Sequence, residues 1–160
     1  MNLHSHGFTL VETLIALALL SIGLLGAGGM LLGSLQSHAE ARREMAAAQL
    51  VRDMADRIRA NPRAGAAYDS REAAPLAAPC DLATPCAAPE LAAADLAYFS
   101  GAAQDLLPGT ETRAWVQFEP ATGPAAADRF AITLSWRGPR DDETRVVALS
   151  LLAPPVAGRA

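Results

Sequence analysis

The stretch Gly7-Phe8-Thr9-Leu10-Val11-Glu12-Thr13-Leu14-Ile15-Ala16-Leu17-Ala18-Leu19-Leu20 opens an apolar run that continues to Leu35 and decides the fold. From Thr13 to Ala39 no residue carries a fixed charge. The most apolar part, Leu14 to Leu35, is about 22 residues, or roughly 33 Å as helix, which is enough to span a bilayer. Glu12 is the odd residue. A carboxylate at this depth near a helix end costs about 3 kcal/mol or less on insertion scales, and it calls for a cationic partner. The sequence offers no Lys or Arg before Arg42. A cut between Gly7 and Phe8 would create an α-amino group four residues before Glu12, one helical turn away on the same face. That amine is able to pair with Glu12 of its own chain or of a neighbour.

Two other readings of this block compete. A conventional secretory signal needs a positive n-region, a short uninterrupted apolar core and a small-residue cleavage site. Here the first is missing, Glu12 interrupts the second, and candidates for the third, such as Gly26-Ala27-Gly28, fit it poorly. An uncleaved membrane anchor satisfies the length rule. Neither explains Glu12.

Gly7-Phe8-Thr9-Leu10-Val11-Glu12, followed by a long apolar helix, resembles the prepilin peptidase signal of type IV pilins and type II secretion pseudopilins. The resemblance implies that residues 1–7 are a leader removed after Gly7, that the new N-terminal Phe8 is methylated, and that Glu12 guides subunit docking. It implies a prepilin peptidase/methyltransferase and other minor and major pilins as partners. It further implies an inner-membrane location with a periplasmic head before assembly into a pilus. The leader Met1-Asn2-Leu3-His4-Ser5-His6 contains neither Lys nor Arg, so the amino terminus and the histidines would have to supply the positive-inside signal.

The helix does not stop at the membrane. Ser37 to Asn61 has no Pro or Gly, and Ala47, Leu50, Val51, Met54 and Ile58 recur at three- and four-residue steps. Residues 8–35 are therefore expected to form the transmembrane and filament-core part of one helix, and 36–61 its amphipathic half, with Asn61-Pro62 as the stop. Asp53 and Arg57 form a favourable i,i+4 pair. Gly29 and Gly33 either provide a small-xxx-small approach surface or reflect ordinary glycine usage in a membrane helix.

Residues 62–160 are expected to form the head. Within it, 63–94 is Ala/Pro-rich and reads as an irregular loop containing both cysteines, Cys80 and Cys86. Their spacing is not that of redox or zinc motifs. In a periplasmic location a small-loop disulfide is the natural reading; the alternative is two unpaired thiols. A short helix is expected over about 95–107, ended by Pro108-Gly109. Three β segments follow over about 112–153, with Phe130, Ile132, Leu134 and Trp136 on one face of the second. The apolar face of this antiparallel meander needs a cover, and the stripe of Leu50, Met54 and Ile58 supplies one. The fold class is thus α+β, a long N-terminal membrane and amphipathic helix packed on a small antiparallel sheet, as the pilin resemblance also implies. More narrowly, Asp53-Met54-Ala55-Asp56-Arg57-Ile58-Arg59-Ala60-Asn61-Pro62 looks like the post-membrane signature of the PilV minor pilins (type IV pilus modification proteins). The segment from Asp95-Leu96-Ala97 to Leu106-Leu107-Pro108-Gly109 is similar to the helix before their sheet.

Composition bounds the function. The 160 residues carry 13 basic and 17 acidic side chains, a net charge of −4, which provides no cationic field for nucleic acid. At 5% aromatic residues there is little base-stacking surface. The three histidines are His4, His6 and His38, so the head has none. A His-assisted triad on Ser100, Ser135, Ser150 or a cysteine is therefore impossible there, which weighs against a membrane-anchored periplasmic hydrolase. No cofactor, metal or catalytic residue is expected. The expected function is that of a minor pilin in type IV pilus assembly or initiation, with a type II secretion pseudopilin as the alternative.

Processing is directly measurable. Intact-mass analysis of the membrane-extracted protein should give a chain starting at methylated Phe8. A retained Met1, or a cut near Ala27, contradicts it, and substitution of Gly7 should leave precursor in the membrane.

Overall fold

The computed structural model describes residues 9–71, 86–107, 111–123, 126–138 and 144–153. Gly7, Phe8 and Cys80 lie outside the described residues. The chain divides into two compact units, Met1–Arg42 and Arg43–Ala160, and helix α1, Leu10–Ala60, contributes to both.

In the first unit α1 begins at a threonine cap. The Glu12 N–H donates to the Thr9 carbonyl at 3.0 Å and to Thr9 Oγ1 at 3.3 Å. The cap satisfies one of the amides that every helix start leaves without an intrahelical partner. Glu12, in the first turn, places a carboxylate where the helix dipole favours negative charge. Further along, the Ser21 hydroxyl donates to the Leu17 carbonyl at 2.7 Å and the Ser37 hydroxyl to Gly33 at 3.1 Å. These two hydroxyls are thus bonded within the helix itself, as a non-aqueous surrounding demands. The large apolar side chains from Leu10 to Leu35 are exposed, and none of the membrane-length window is buried.

The second unit holds the core. On α1 the side chains of Ala47, Leu50, Val51, Met54, Ala55 and Ile58 are buried, following the 3.6-residue period of a one-sided helix. The helix ends at Ala60, where Asn61 N–H bonds back to Arg57 and Ile58 carbonyls and Pro62 cannot continue the ladder. A 3-10 turn follows over Gly65–Tyr68. Gly65 adopts φ of 48°, a left-handed conformation that a side chain would strain. This reversal is followed by Tyr68, which is fully buried.

Helix α2, Ala88–Leu106, precedes a three-stranded antiparallel meander of β1 (Arg113–Glu119), β2 (Asp128–Arg137) and β3 (Thr144–Ala153), in the order β1-β2-β3. Val116 pairs with Ile132 and Phe118 with Phe130, while Ile132 pairs with Leu149 and Phe130 with Leu151. The period-2 alternation therefore stacks these side chains in rows on one face. That face and the α1 stripe share one hydrophobic cluster with Tyr68, Leu96, Phe99 and Leu107. The fold is α+β: a long N-terminal apolar helix packed, through its second half, on a small antiparallel sheet. The buried Asp128 carboxylate accepts the Ala121 N–H at 2.9 Å and so ties down the β1–β2 connection.

One boundary needs correction. The Ala/Pro-rich composition predicts an irregular loop through residue 94 and a helix from about 95, whereas α2 begins at Ala88. Pro89, one of the prolines of that Ala/Pro-rich stretch, occupies the first turn, where its missing N–H has no intrahelical partner to lose. Glu90 reaches back with Oε2 to accept the Ala87 N–H at 2.9 Å, and the Ala87 carbonyl accepts the first helical bond from Leu91. Half of a capping box thus starts the helix, the other half being absent because Ala87 has no acceptor in its side chain.

Truncation of Met54 to Ala should destabilise the second unit by about 2–5 kcal/mol, as for other buried large-to-small changes. Met45→Ala, at an exposed position of the same helix, should stay within about 0.5 kcal/mol. Chemical denaturation of the detergent-solubilised chain, followed by tryptophan fluorescence, checks both.

Candidate functional site

The chain presents two candidate sites. At the N-terminal one, Thr9 and Glu12 are brought together by the helix cap, both solvent-exposed in the isolated chain. Gly7 and Phe8, where cleavage and methylation are expected, lie outside the described residues. Thr9-Leu10-Val11-Glu12 is itself a capping-box pattern, so Glu12 has a local structural role besides any intermolecular one. A cap leaves the carboxylate at the helix tip free to meet an amine there. The glycines of this segment, including Gly29 and Gly33, face open space. Only another molecule could make use of the room they leave.

The second site is a polar seam where α1, the 3-10 turn and α2 meet. Asp95, 5% exposed, accepts from Arg57 Nη1 at 2.9 Å on one carboxylate oxygen and from the Tyr68 hydroxyl at 2.8 Å on the other. Arg57 Nε donates to Asp53 at 2.9 Å, one turn earlier on its own helix. Its guanidinium also lies 4.3 Å from the centre of the Tyr98 ring, a cation–π contact. Asn61 Nδ2 donates to the Ala88 carbonyl at 2.8 Å and to the Tyr68 oxygen at 3.3 Å. The last turn of α1, the turn after it and the start of α2 are thus pinned by one carboxylate, one guanidinium, one amide and one phenol. Burial first, and then the hydrogen bond and charge of Asp95, push the ionisation of the Tyr68 hydroxyl well above the usual tyrosine value. The sequence reading found only the Asp53–Arg57 pair. Asp95 and Tyr68 were missed, although a lone Asp amid the apolar residues of an amphipathic helix, matched to an Arg on another, is the signal that could have found them.

Leu50, Met54 and Ile58 lie in the core. Cys86 is disulfide-bonded, and its expected partner Cys80 lies outside the described residues. Among the described residues no group of three or more His, Cys, Asp or Glu side chains could hold a metal ion.

Two family models match the chain. Residues 2–28 match the model of the prokaryotic N-terminal methylation motif, and residues 29–97 match that of type IV pilin Tt1218. No curated protein and no solved structure shows significant similarity to the chain. The motif match contains Thr9 and Glu12. The domain match ends just past Asp95, so it contains every residue of the polar seam except Tyr98. Motif, long apolar helix and α+β head are together consistent with the pilin fold. The chain is thus similar to type IV pilins over residues 29–97 and carries the methylation motif ahead of them, which supports a pilin or pseudopilin subunit.

Two measurements probe the seam. Asp95→Ala leaves the Tyr68 hydroxyl buried without its acceptor and removes one partner of Arg57. Breaking a fully buried pair costs about 3–5 kcal/mol, but Arg57 is about one-third exposed and keeps Asp53, so about 2–4 kcal/mol is expected. The second is pH dependence. Because Tyr68 has a folded pKa above its unfolded value, its contribution is complete below about pH 10 and is lost as pH rises through the folded value. Denaturation midpoints should therefore fall above about pH 10, and Tyr68→Phe should remove that part of the slope.

Proposed function

We propose that the chain is a minor pilin of the PilV kind. It is cut after Gly7 and methylated on Phe8 by a prepilin peptidase/methyltransferase. It is then held in the inner membrane by α1, with the second unit in the periplasm, and packs with other minor and major pilins in a pilus or its initiating complex. The observation that carries this reading is the exposure of every large apolar side chain of α1 from Leu10 to Leu35, around the N-terminal methylation motif. Such a surface is stable only in an apolar phase, which a bilayer supplies before assembly and neighbouring helices supply after it.

The carboxylate of Glu12 then finds its counter-charge in the methylated amine of Phe8, its own or a neighbour's. Pairing with a neighbour would fix the axial register of one helix against the next, because each chain offers a single amine and a single acid at this end of the helix. The PilV reading is supported by Asp53 to Pro62, whose Asp53, Arg57 and Asn61 make hydrogen bonds of the polar seam. The Cys80–Cys86 bond is proposed to order the loop between the 3-10 turn and α2. A ring of about seven residues contributes on the order of 2 kcal/mol in the chain-entropy model, too little to hold up the head.

Glu12→Ala is the test. It should still be inserted and cut, since neither step uses the carboxylate, yet be absent from sheared filaments while the wild-type chain is present. Normal incorporation of Glu12→Ala would overturn the amine-pairing mechanism, and loss of cleavage would show that Glu12 acts on the peptidase instead.

A further inference from the structure

A polar recess of about 350 Å³ opens at the outer edge of β1 in the second unit, away from the seam residues. It lies between Ser70 and Arg71, the α2 residues Ser100 and Gln104, and the start of β1 from Thr112 to Trp115. Its size falls at the low end of the range for built ligand sites. Three features of its lining point in one direction.

The first is the strand edge. Ser70 N–H donates to the Val116 carbonyl at 2.9 Å, and Val116 N–H donates to Ser70 Oγ at 3.0 Å. Two residues on, Phe118 N–H bonds to the Asp69 carboxylate. Residues two apart in a strand direct their backbone groups to the same side, so the N–H and C=O of Ala114 face this edge as well. Among the described residues Ala114 has no partner on that side. It is the open rung of an edge otherwise closed by Asp69 and Ser70.

The second is charge. Arg113, exposed at the recess, has no ion-pair partner among the described residues. Arg71 is already engaged bidentately by Asp69, at 2.7 and 3.0 Å. The recess therefore presents one unneutralised guanidinium next to the open rung. The third is the surrounding lining. The Gln104 amide forms no hydrogen bond among the described residues, and Trp115 supplies an aromatic wall. Thr112 and Ser100 have donated their protons to the Leu107 and Ala97 carbonyls, which leaves their oxygens as acceptors.

We propose that this recess binds an extended, acidic peptide segment of a partner protein. The segment continues the β1 edge at Ala114 by one backbone N–H and C=O pair, places a carboxylate on Arg113 and lays an apolar flank on Trp115. An open strand rung selects an extended backbone, since a peptide offers a donor and an acceptor at the spacing of the rung. The free guanidinium selects a carboxylate, to which it presents a bidentate fork.

The test uses the full chain in detergent micelles and two synthetic peptides, acetyl-Val-Glu-Val-Asp-Val-amide and its Gln/Asn counterpart. Binding is followed by the side-chain indole NMR signal of Trp115, with that of Trp136, buried in the core, as internal control. The acidic peptide should shift the Trp115 signal saturably, and the amide peptide should bind about tenfold more weakly or worse. Arg113→Gln, at an exposed position, should weaken the acidic peptide to the level of the amide one while leaving the Trp136 signal in place. Equal binding of both peptides would overturn the carboxylate assignment. Binding of free glucuronate with no response to either peptide would make the recess an acidic-sugar site and overturn the peptide assignment. No response at millimolar concentrations of any of these probes would overturn the proposal. None of these outcomes depends on Glu12 or on filament assembly.

Discussion

Asp95 is a buried carboxylate on a helix that is otherwise built to bury Leu96, Phe99 and Ala103, and the architecture of the head turns on how that charge is met. A carboxylate removed from water needs its lone pairs filled, and the available donors are Arg57 on α1 and Tyr68 on the 3-10 turn. Meeting that need brings three separate segments to one point. Once α1 and α2 are joined there, the apolar side chains of both lie on the same side of the seam and form one cluster with the sheet. Asn61 extends the arrangement by holding the carbonyl of Ala88, the first residue of α2. A Leu in place of Asp95 would be compatible with an apolar core, but it would not specify which turn of α1 meets which turn of α2. Directional bonds set that registry, whereas the hydrophobic contacts around them are tolerant of small slips.

The same helix obeys two different solvents. Up to Leu35 its large side chains are apolar on all sides and the Thr13 and Ser21 hydroxyls bond to its own backbone, a pattern suited to surroundings that offer no hydrogen bonds. From Ala47 onward one stripe is apolar and buried, while Arg52, Asp56 and Arg59 remain exposed. Among the described residues only the second pattern finds its complement. The exposure of the first is the physical reason the proposed function makes the protein a subunit of something larger. In the proposed assembly the complement of Leu10 to Leu35 is lipid first and other copies of such a helix afterwards.

The strands and the α1 stripe were readable because their signals are periodic and local. Phe130, Ile132, Leu134 and Trp136 alternate with small or polar residues, and a strand converts such alternation directly into two faces. The start of α2 was not readable in the same way. Pro89 is a breaker in most of a helix and an acceptable residue in its first turn, so its meaning depends on where the helix begins. What resolved it was the bond that the Ala87 N–H donates to the Glu90 carboxylate, a contact within one turn that exists only once the helix starts there. The seam was harder still, because Arg57 and Asp95 are separated by 38 positions and no periodicity links them. The recess at the β1 edge was illegible, since its open rung is a backbone feature with no residue-specific signal and its side chains come from three separate segments.

By itself, then, the order of residues determined the long helix, its apolar and amphipathic halves, the orphan acid near its start and the meander that follows. Each of these depends on neighbours a few positions apart, so the chemistry is written within one stretch of chain. The tertiary structure alone decided which polar side chains were to be buried together, where α2 begins and which rung of β1 was left open. Those outcomes depend on groups brought together from distant parts of the chain, where desolvation and hydrogen-bond geometry, rather than local preference, choose the partner.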